Sequence, residues 1–137
     1  MILFNYETNF KLTNEEAIQK WISECIETRG FTEGELNYIF CDDEYLLKLN
    51  VEFLEHDTLT DIISFDYTLG KLISGDIFIS VERVQENANI FSQTFDNELN
   101  RVIIHGVLHY MGYKDKTDEA KAEMRSEEEK CLALLES

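Results

Sequence analysis

The chain has 137 residues, with 28 Asp and Glu against 12 Lys and Arg, a formal net charge of -16 at pH 7, and no proline. That length fits one domain over residues 1–137, and 44% hydrophobic with 12% aromatic residues excludes a disordered chain despite the charge. The charge repels phosphate at long range and excludes broad coating of nucleic acid, but it leaves open a local site where a metal and a few cations invert the potential.

Residues 1–7 lack the basic region and long apolar stretch of a secretory signal, and no apolar run reaches the ~20 residues of a membrane span. Ile2, Phe4 and Tyr6 alternate with polar residues and predict a strand over 2–6. Thr13-Asn14-Glu15-Glu16 has the form of a capping box. It opens a helix with Ile18, Trp21, Ile22, Cys25 and Ile26 as its apolar stripe and Arg29-Gly30 as its end. β-forming residues predict a second strand over 36–41. Asp42-Asp43 caps a helix carrying Leu46, Leu49 and Phe53, and a polar turn with a surface His56 follows. Residues 62–67 and 72–80 predict a hairpin with Leu69-Gly70-Lys71 as its turn, and a short helix over 80–91 comes next. Asp96 caps a long helix through Met111, with Leu99, Val102, Ile103, Val107 and Leu108 inside and Gly112 just past its end. Thr117 starts a last helix with Ala120, Met124, Cys131 and Leu134/Leu135 facing inward. The order βαβαββααα predicts an α/β (α+β) fold, a small mixed sheet of about four strands covered by about five helices. Cys25, Cys41 and Cys131 form no CxxC and read as reduced, buried or half-buried residues of a cytoplasmic protein.

His105 and His109 stand four residues apart on the long helix, so both rings project from one face, a turn apart. Two imidazole nitrogens so placed reach one zinc ion at about 2.0–2.1 Å. The same stripe reads Thr94, Glu98, Arg101, His105, His109 and Gly112, a polar line on a helix whose other side is apolar. Gly112 lets the chain turn back with positive φ, and Asp115 completes the string His105-x-x-x-His109-x-x-Gly112-x-x-Asp115. One zinc ion (Zn2+) with three protein ligands plus water is the catalytic pattern, whereas a structural zinc takes four ligands, usually thiolates. Each piece alone has a plainer reading: a surface or capping His pair, a turn aspartate, and a solvated Glu98/Arg101 pair. Zinc brings bound water to a pKa of about 7, so hydrolysis is the natural reaction class. The spacing is also that of metzincin peptidases, which carry Glu directly after the first His. Gly106 stands there and has no side chain to take a proton, leaving Glu98 as a longer-range base.

His105-Gly106-Val107-Leu108-His109-Tyr110-Met111-Gly112-Tyr113 resembles the signature of the YbeY-type endoribonucleases of bacterial rRNA maturation. Thr60-Asp61-Ile62-Ile63-Ser64-Phe65 and Gly75-Asp76-Ile77-Phe78-Ile79-Ser80 resemble two strands of that family, in the same order and at matching distances. The resemblance implies a cytoplasmic, zinc-dependent endoribonuclease acting on single-stranded RNA in 16S rRNA 3′-end maturation and ribosome quality control. It implies the ribosomal small subunit or its associated proteins as partners, and a zinc held by the helix motif, onto which His105 and His109 carry over directly. Asp115 stands where the family usually has its third ligand His, and Lys114 where it usually has Asp. An Asp oxygen can bind zinc, with a less acidic bound water and more tolerance of other divalent ions. Leu54 stands where the family commonly has Arg, and Leu59 and Asp66 replace prolines.

For holding RNA the sequence offers Lys114 and Lys116 beside Asp115, Arg101 one turn before His105, and Lys71 in the hairpin turn, with Arg83 after the fourth strand. Lys114 and Lys116 equally suit neutralisation of a helix C-terminus. Asp61 and Ser64 offer polar groups to the site from a strand, with Asp61 equally suited to capping a turn, and Asp76 reads as structural. Trp21 and Met124 read as core, and Ser126-Glu127-Glu128-Glu129-Lys130 as a solvated helix face. Two other functions fit the residues: a ribosome-associated binding module braced by a structural zinc, and a zinc metallopeptidase.

Overall fold

The computed structural model describes residues 1–54 and 59–136; His56 lies outside them. In chain order the elements are β1 (Ile2–Tyr6), α1 (Glu15–Glu27), β2 (Thr32–Cys41), α2 (Asp43–Leu54), β3 (Ile62–Asp66), β4 (Leu72–Ser80), α3 (Val81–Ile90), α4 (Phe95–Tyr110) and α5 (Asp118–Glu136). The strands form one sheet in the order β1-β2-β4-β3. β1 and β2, and β2 and β4, run parallel, while β3 closes the edge antiparallel to β4. This is the small mixed sheet that the hairpin and the helical crossovers predict.

Alternation along the strands sorts the core. Leu36, Tyr38, Phe40, Ile73, Ile77 and Ile79 are buried with α1, α4 and α5, and Trp21, Met124 and all three free cysteines are buried too. Each such buried side chain contributes about 1.5–3 kcal/mol. The opposite face holds Cys41, Leu46 and Ile63, with Phe65 and Phe78 against them, under α2.

Several local expectations need correction. β2 begins at Thr32 rather than Leu36, because its polar first residues pair with Leu72 and Ile73 before a register shift between Glu33 and Leu36. α1 has Asn14 at its N-cap with no side-chain cap bond, so the Thr13 capping box does not form. Thr94, not Asp96, caps α4: its backbone is extended and its hydroxyl accepts from the Asn97 amide at 3.1 Å, leaving Asp96 in the first turn. On α5 Leu132 is buried and Leu134 is exposed, which moves the inward stripe off Leu134. Asp42 does cap α2, accepting from the Tyr45 amide at 2.8 Å, and Thr117 caps α5 through the Ala120 amide at 3.0 Å.

Two tyrosines fix α4 to the sheet. The Tyr38 hydroxyl donates to the Ile103 carbonyl at 3.0 Å. The Tyr110 hydroxyl reaches the Phe65 carbonyl at 2.9 Å and the Asp76 carbonyl at 3.2 Å. Gly75 makes that approach possible, since a Cβ there would stand 2.4 Å from the Phe65 carbonyl oxygen and 2.5 Å from the Tyr110 hydroxyl. At Gly106 a Cβ would meet Ile77 at 3.1 Å and Ile62 at 3.2 Å. Position 106 therefore lies tight against the sheet, and any side chain there would press on these two isoleucines. With one side of α4 fixed in this way, its polar stripe faces α5 and the loop after Tyr110.

Candidate metal centre

α4 ends in the reversal that the sequence placed at Gly112. Gly112 has φ +101° and its amide donates to the His109 carbonyl at 3.0 Å, while the Tyr113 amide donates to Leu108 at 3.1 Å. These are the two bonds of a Schellman turn, with Tyr113 packed back on the core. The turn carries Asp115 under the helix face that bears the two histidines. Its Oδ2 lies 3.3 Å from His105 Nε2 and 3.2 Å from His109 Nε2. The imidazole rings meet edge to face, with centroids 4.6 Å apart at 83°.

His105, His109 and Asp115 present ligand atoms all within 4.8 Å of one another, the three residues named from the sequence. Donors at about 2.0–2.1 Å from a tetrahedral zinc stand roughly 3.3 Å apart. The two histidine–aspartate separations match that edge, so the residues fit a metal of this size and geometry.

Behind the triad is a partner that the sequence reading missed. Glu128, read as part of a solvated face, is 5% exposed, and its Oε2 lies 2.6 Å from His105 Nδ1. A proton on Nδ1 shared with this carboxylate leaves the Nε2 lone pair aimed at the triad, the arrangement that fixes the tautomer of metal-binding histidines. Glu128 Oε1 accepts from Arg101 Nη1 at 3.0 Å, and Arg101 Nη2 reaches Glu129 at 2.6 Å. Arg101 is 7% exposed and Glu98 6%, so neither is the solvated residue that an i, i+3 pair suggests. Glu127 is also drawn inward, bound by Arg29 at 3.0 Å and by the Tyr113 hydroxyl at 3.0 Å.

Electrostatics divides the two histidines. Burial opposes the imidazolium of His105, but the hydrogen bond and charge of Glu128, with Asp115 and Asp61, outweigh it and raise its pKa. Burial and the neighbouring His105 lower that of His109. Asp61, Glu98, His105 and Asp115 line a cleft of about 290 Å³. Burial lifts the carboxyls of Asp61 and Glu98 above their ordinary range, against the charge of His105 on the first and of Arg101 on the second.

The cations named for RNA are scattered. Arg101 is committed to the carboxylates of α5. Lys114 and Lys116 are exposed on either side of Asp115. Lys71 sits over the Phe31 ring, 5.7 Å from its centroid, at the far end of the hairpin. Ser80 at the other end of β4 bonds to Asp61, so at about 3.3 Å per residue Lys71 lies roughly 30 Å along the strand from the cleft. Arg83 pairs with Asp43 at 2.8 Å. Ser64 is exposed on β3, and Asp76 accepts from Asn37 of the neighbouring strand at 3.1 Å.

A family model described as Endoribonuclease YbeY matches residues 3–136. A curated relative in Flavobacterium johnsoniae, described by the same words, is 61% identical over 135 residues, covering 98% of this chain and 97% of that protein. Another in Christiangramia forsetii is 54% identical over 134 residues, covering 98% and 94%. The solution structure of a Thermotoga maritima protein superposes with a TM-score of 0.70 at 25% identity, covering 98% of this chain and 89% of that one.

Proposed function

The chain belongs to the YbeY endoribonuclease family, and from that premise we propose that it is a zinc-dependent endoribonuclease of single-stranded RNA, acting in the cytoplasm on the 3′ end of 16S rRNA and in ribosome quality control, in contact with the small subunit or its associated proteins. The observation that carries this reading is the triad of His105, His109 and Asp115, two members of which line a cleft, with His105 held by a buried carboxylate. When bound there, zinc supplies Lewis acidity toward a phosphoryl oxygen and brings water to a pKa of about 7.

The protein's own groups divide the remaining work. Glu128 keeps the His105 ring in one orientation and one tautomer. Asp61 and Glu98 are carboxyls of the cleft outside the triad, and their raised pKa suits a group that exchanges a proton nearer neutrality. Three ligands leave a coordination position for solvent, which favours catalysis over a purely structural metal. Among the described residues no helix is long and apolar enough to cross a membrane. The peptidase reading lacks the base that metzincins carry directly after the first His, since Gly106 stands there and packs on Ile62 and Ile77.

The test is cleavage of a labelled single-stranded RNA by purified protein. Chelation is expected to abolish cleavage, added zinc to restore it, and His109→Ala to remove it at any zinc concentration. Cleavage by His109→Ala at the wild-type rate would overturn the reading.

A further inference from the structure

α5 carries two cations that neither the sequence reading nor the triad uses. Lys121 and Arg125 are four residues apart, so they share a face and are displaced by about 6 Å along the helix. Both line a cleft of about 490 Å³ together with His105 and Asp115. Arg125 also lines the 290 Å³ cleft that holds Asp61, and a third, of about 600 Å³, that holds Thr94 and Asn97. The three clefts adjoin, and Arg125 is common to all of them.

The charges of this region differ in how far they are already spent. Arg101 is buried between Glu128 and Glu129. Arg125 is 60% exposed, and its one ion pair among the described residues, to Glu129, is a long 3.8 Å. The central cleft is lined by four carboxylates, Asp61, Glu98, Asp115 and Glu128, against the two guanidiniums of Arg101 and Arg125. A divalent cation on the triad brings that lining to balance, and Arg125 is the guanidinium left able to turn outward. An anionic strand entering a chain of net charge -16 meets here a metal and two cations on one helix edge.

We propose that Lys121 and Arg125 form the phosphate-binding edge of a groove along α5 that lays single-stranded RNA across the triad, with the backbone on α5 and bases toward Thr94 and Asn97. The proposal rests on the endoribonuclease reading and adds the residues that hold the strand. Stepping one helical turn, the two cations meet phosphates on either side of the nucleotide at the triad, independent of base identity.

Binding of a fluorescent twelve-nucleotide single-stranded RNA, followed by anisotropy across a salt series, tests this. The strand carries phosphorothioate linkages that resist hydrolysis, so every protein keeps its zinc ligands, and wild-type cleavage of the unmodified RNA is measured alongside. Arg125→Gln and Lys121→Gln are each expected to weaken binding about three- to tenfold, and each to reduce the slope of log Kd against log salt by about 0.7. Lys48→Gln, which removes the same charge from exposed α2 under the opposite sheet face, should change binding less than about twofold. Arg125 and Lys121 variants that match Lys48→Gln while wild type still cuts the RNA overturn the groove alone. Wild type that neither binds the strand nor cuts the RNA overturns the groove and the endoribonuclease reading together.

Discussion

Replacing Glu128 with Ala is expected to weaken both the fold and the metal site, and the two losses can be measured apart. In the fold, the substitution strands Arg101, which is 7% exposed. Removing one partner of a buried ion pair costs about 3–5 kcal/mol. Arg101 keeps Glu129 at 2.6 Å and Glu98 at 4.0 Å, which places the loss at the low end, about 3 kcal/mol. At a urea m-value of about 2 kcal/mol/M the unfolding midpoint falls by about 1.5 M. At the site, His105 Nδ1 loses the acceptor at 2.6 Å, and losing such a partner lowers metal affinity about 10–100-fold. Glu128→Gln keeps one carbonyl oxygen for either His105 or Arg101 and turns an amide on the other, so both losses are smaller, about 1–2 kcal/mol in stability. Competition with a chromophoric chelator reads the zinc affinity, and urea denaturation of the metal-free protein reads the fold. Zinc affinity within twofold of wild type in Glu128→Ala, with the midpoint shifted as expected, would refute the claim that this carboxylate sets the orientation of His105. An unchanged midpoint would refute the claim that it neutralises Arg101.

Replacing the pair together, Arg101→Met with Glu128→Leu, should recover part of the stability lost by Glu128→Ala, because Arg101 is no longer stranded although buried Glu98 loses its partner at 4.0 Å, while zinc affinity stays low; chelator competition on a variant with a partly restored urea midpoint checks it. Gly75→Ala places a Cβ 2.4 Å from the Phe65 carbonyl oxygen, so it should cost about 2–3 kcal/mol in thermal or urea unfolding, and wild-type stability would show that β3 can shift freely. Burial alone would raise the Glu127 pKa, but Lys130, Tyr113 and Arg29 hold it below the ordinary 4.5, so its stabilisation is whole above that value and lost as pH falls through the depressed pKa. The stability difference between wild type and Glu127→Gln, from urea midpoints, should stay constant from pH 8 to about 5 and shrink below about 4.5; a difference that grows on acidification would contradict it.

Much of the fold was legible because its signals are local. Alternation in Ile2, Phe4 and Tyr6, the helical stripe from Ile18 to Ile26 and the Gly70 turn each report one element, and the parallel crossovers follow from their order. What failed was also local but ambiguous. Thr13 and Asp96 are good capping residues by type, yet Asn14 and Thr94 take those places because the chain enters each helix one or two residues away. The first residues of β2 are polar and carry Gly34, which reads as a loop. Only the pairing of Thr32 with Leu72 and Glu33 with Ile73, a contact about forty residues distant in sequence, makes them strand.

The triad was legible because all three ligands fall within eleven positions of one helix and its turn. Its support was not, because that comes from α5. Yet a signal existed there. Glu128 lies four residues after Met124 and four before Leu132, both buried, so it occupies the inward stripe of its helix. A carboxylate at such a position must find donors or be expelled. α4 poses the complementary problem, an arginine and a histidine on a face that has to be covered. Glu128 with Arg101 and His105 answers both, so the polar stripe on α4 and the misplaced acid on α5 are one feature seen from two helices. The run of acids around position 128 hid this, since a single inward carboxylate among outward ones has the same composition as a solvated face. Burial separates them: Glu129 on the same run stays more than half exposed while Glu128 is sealed against the histidine.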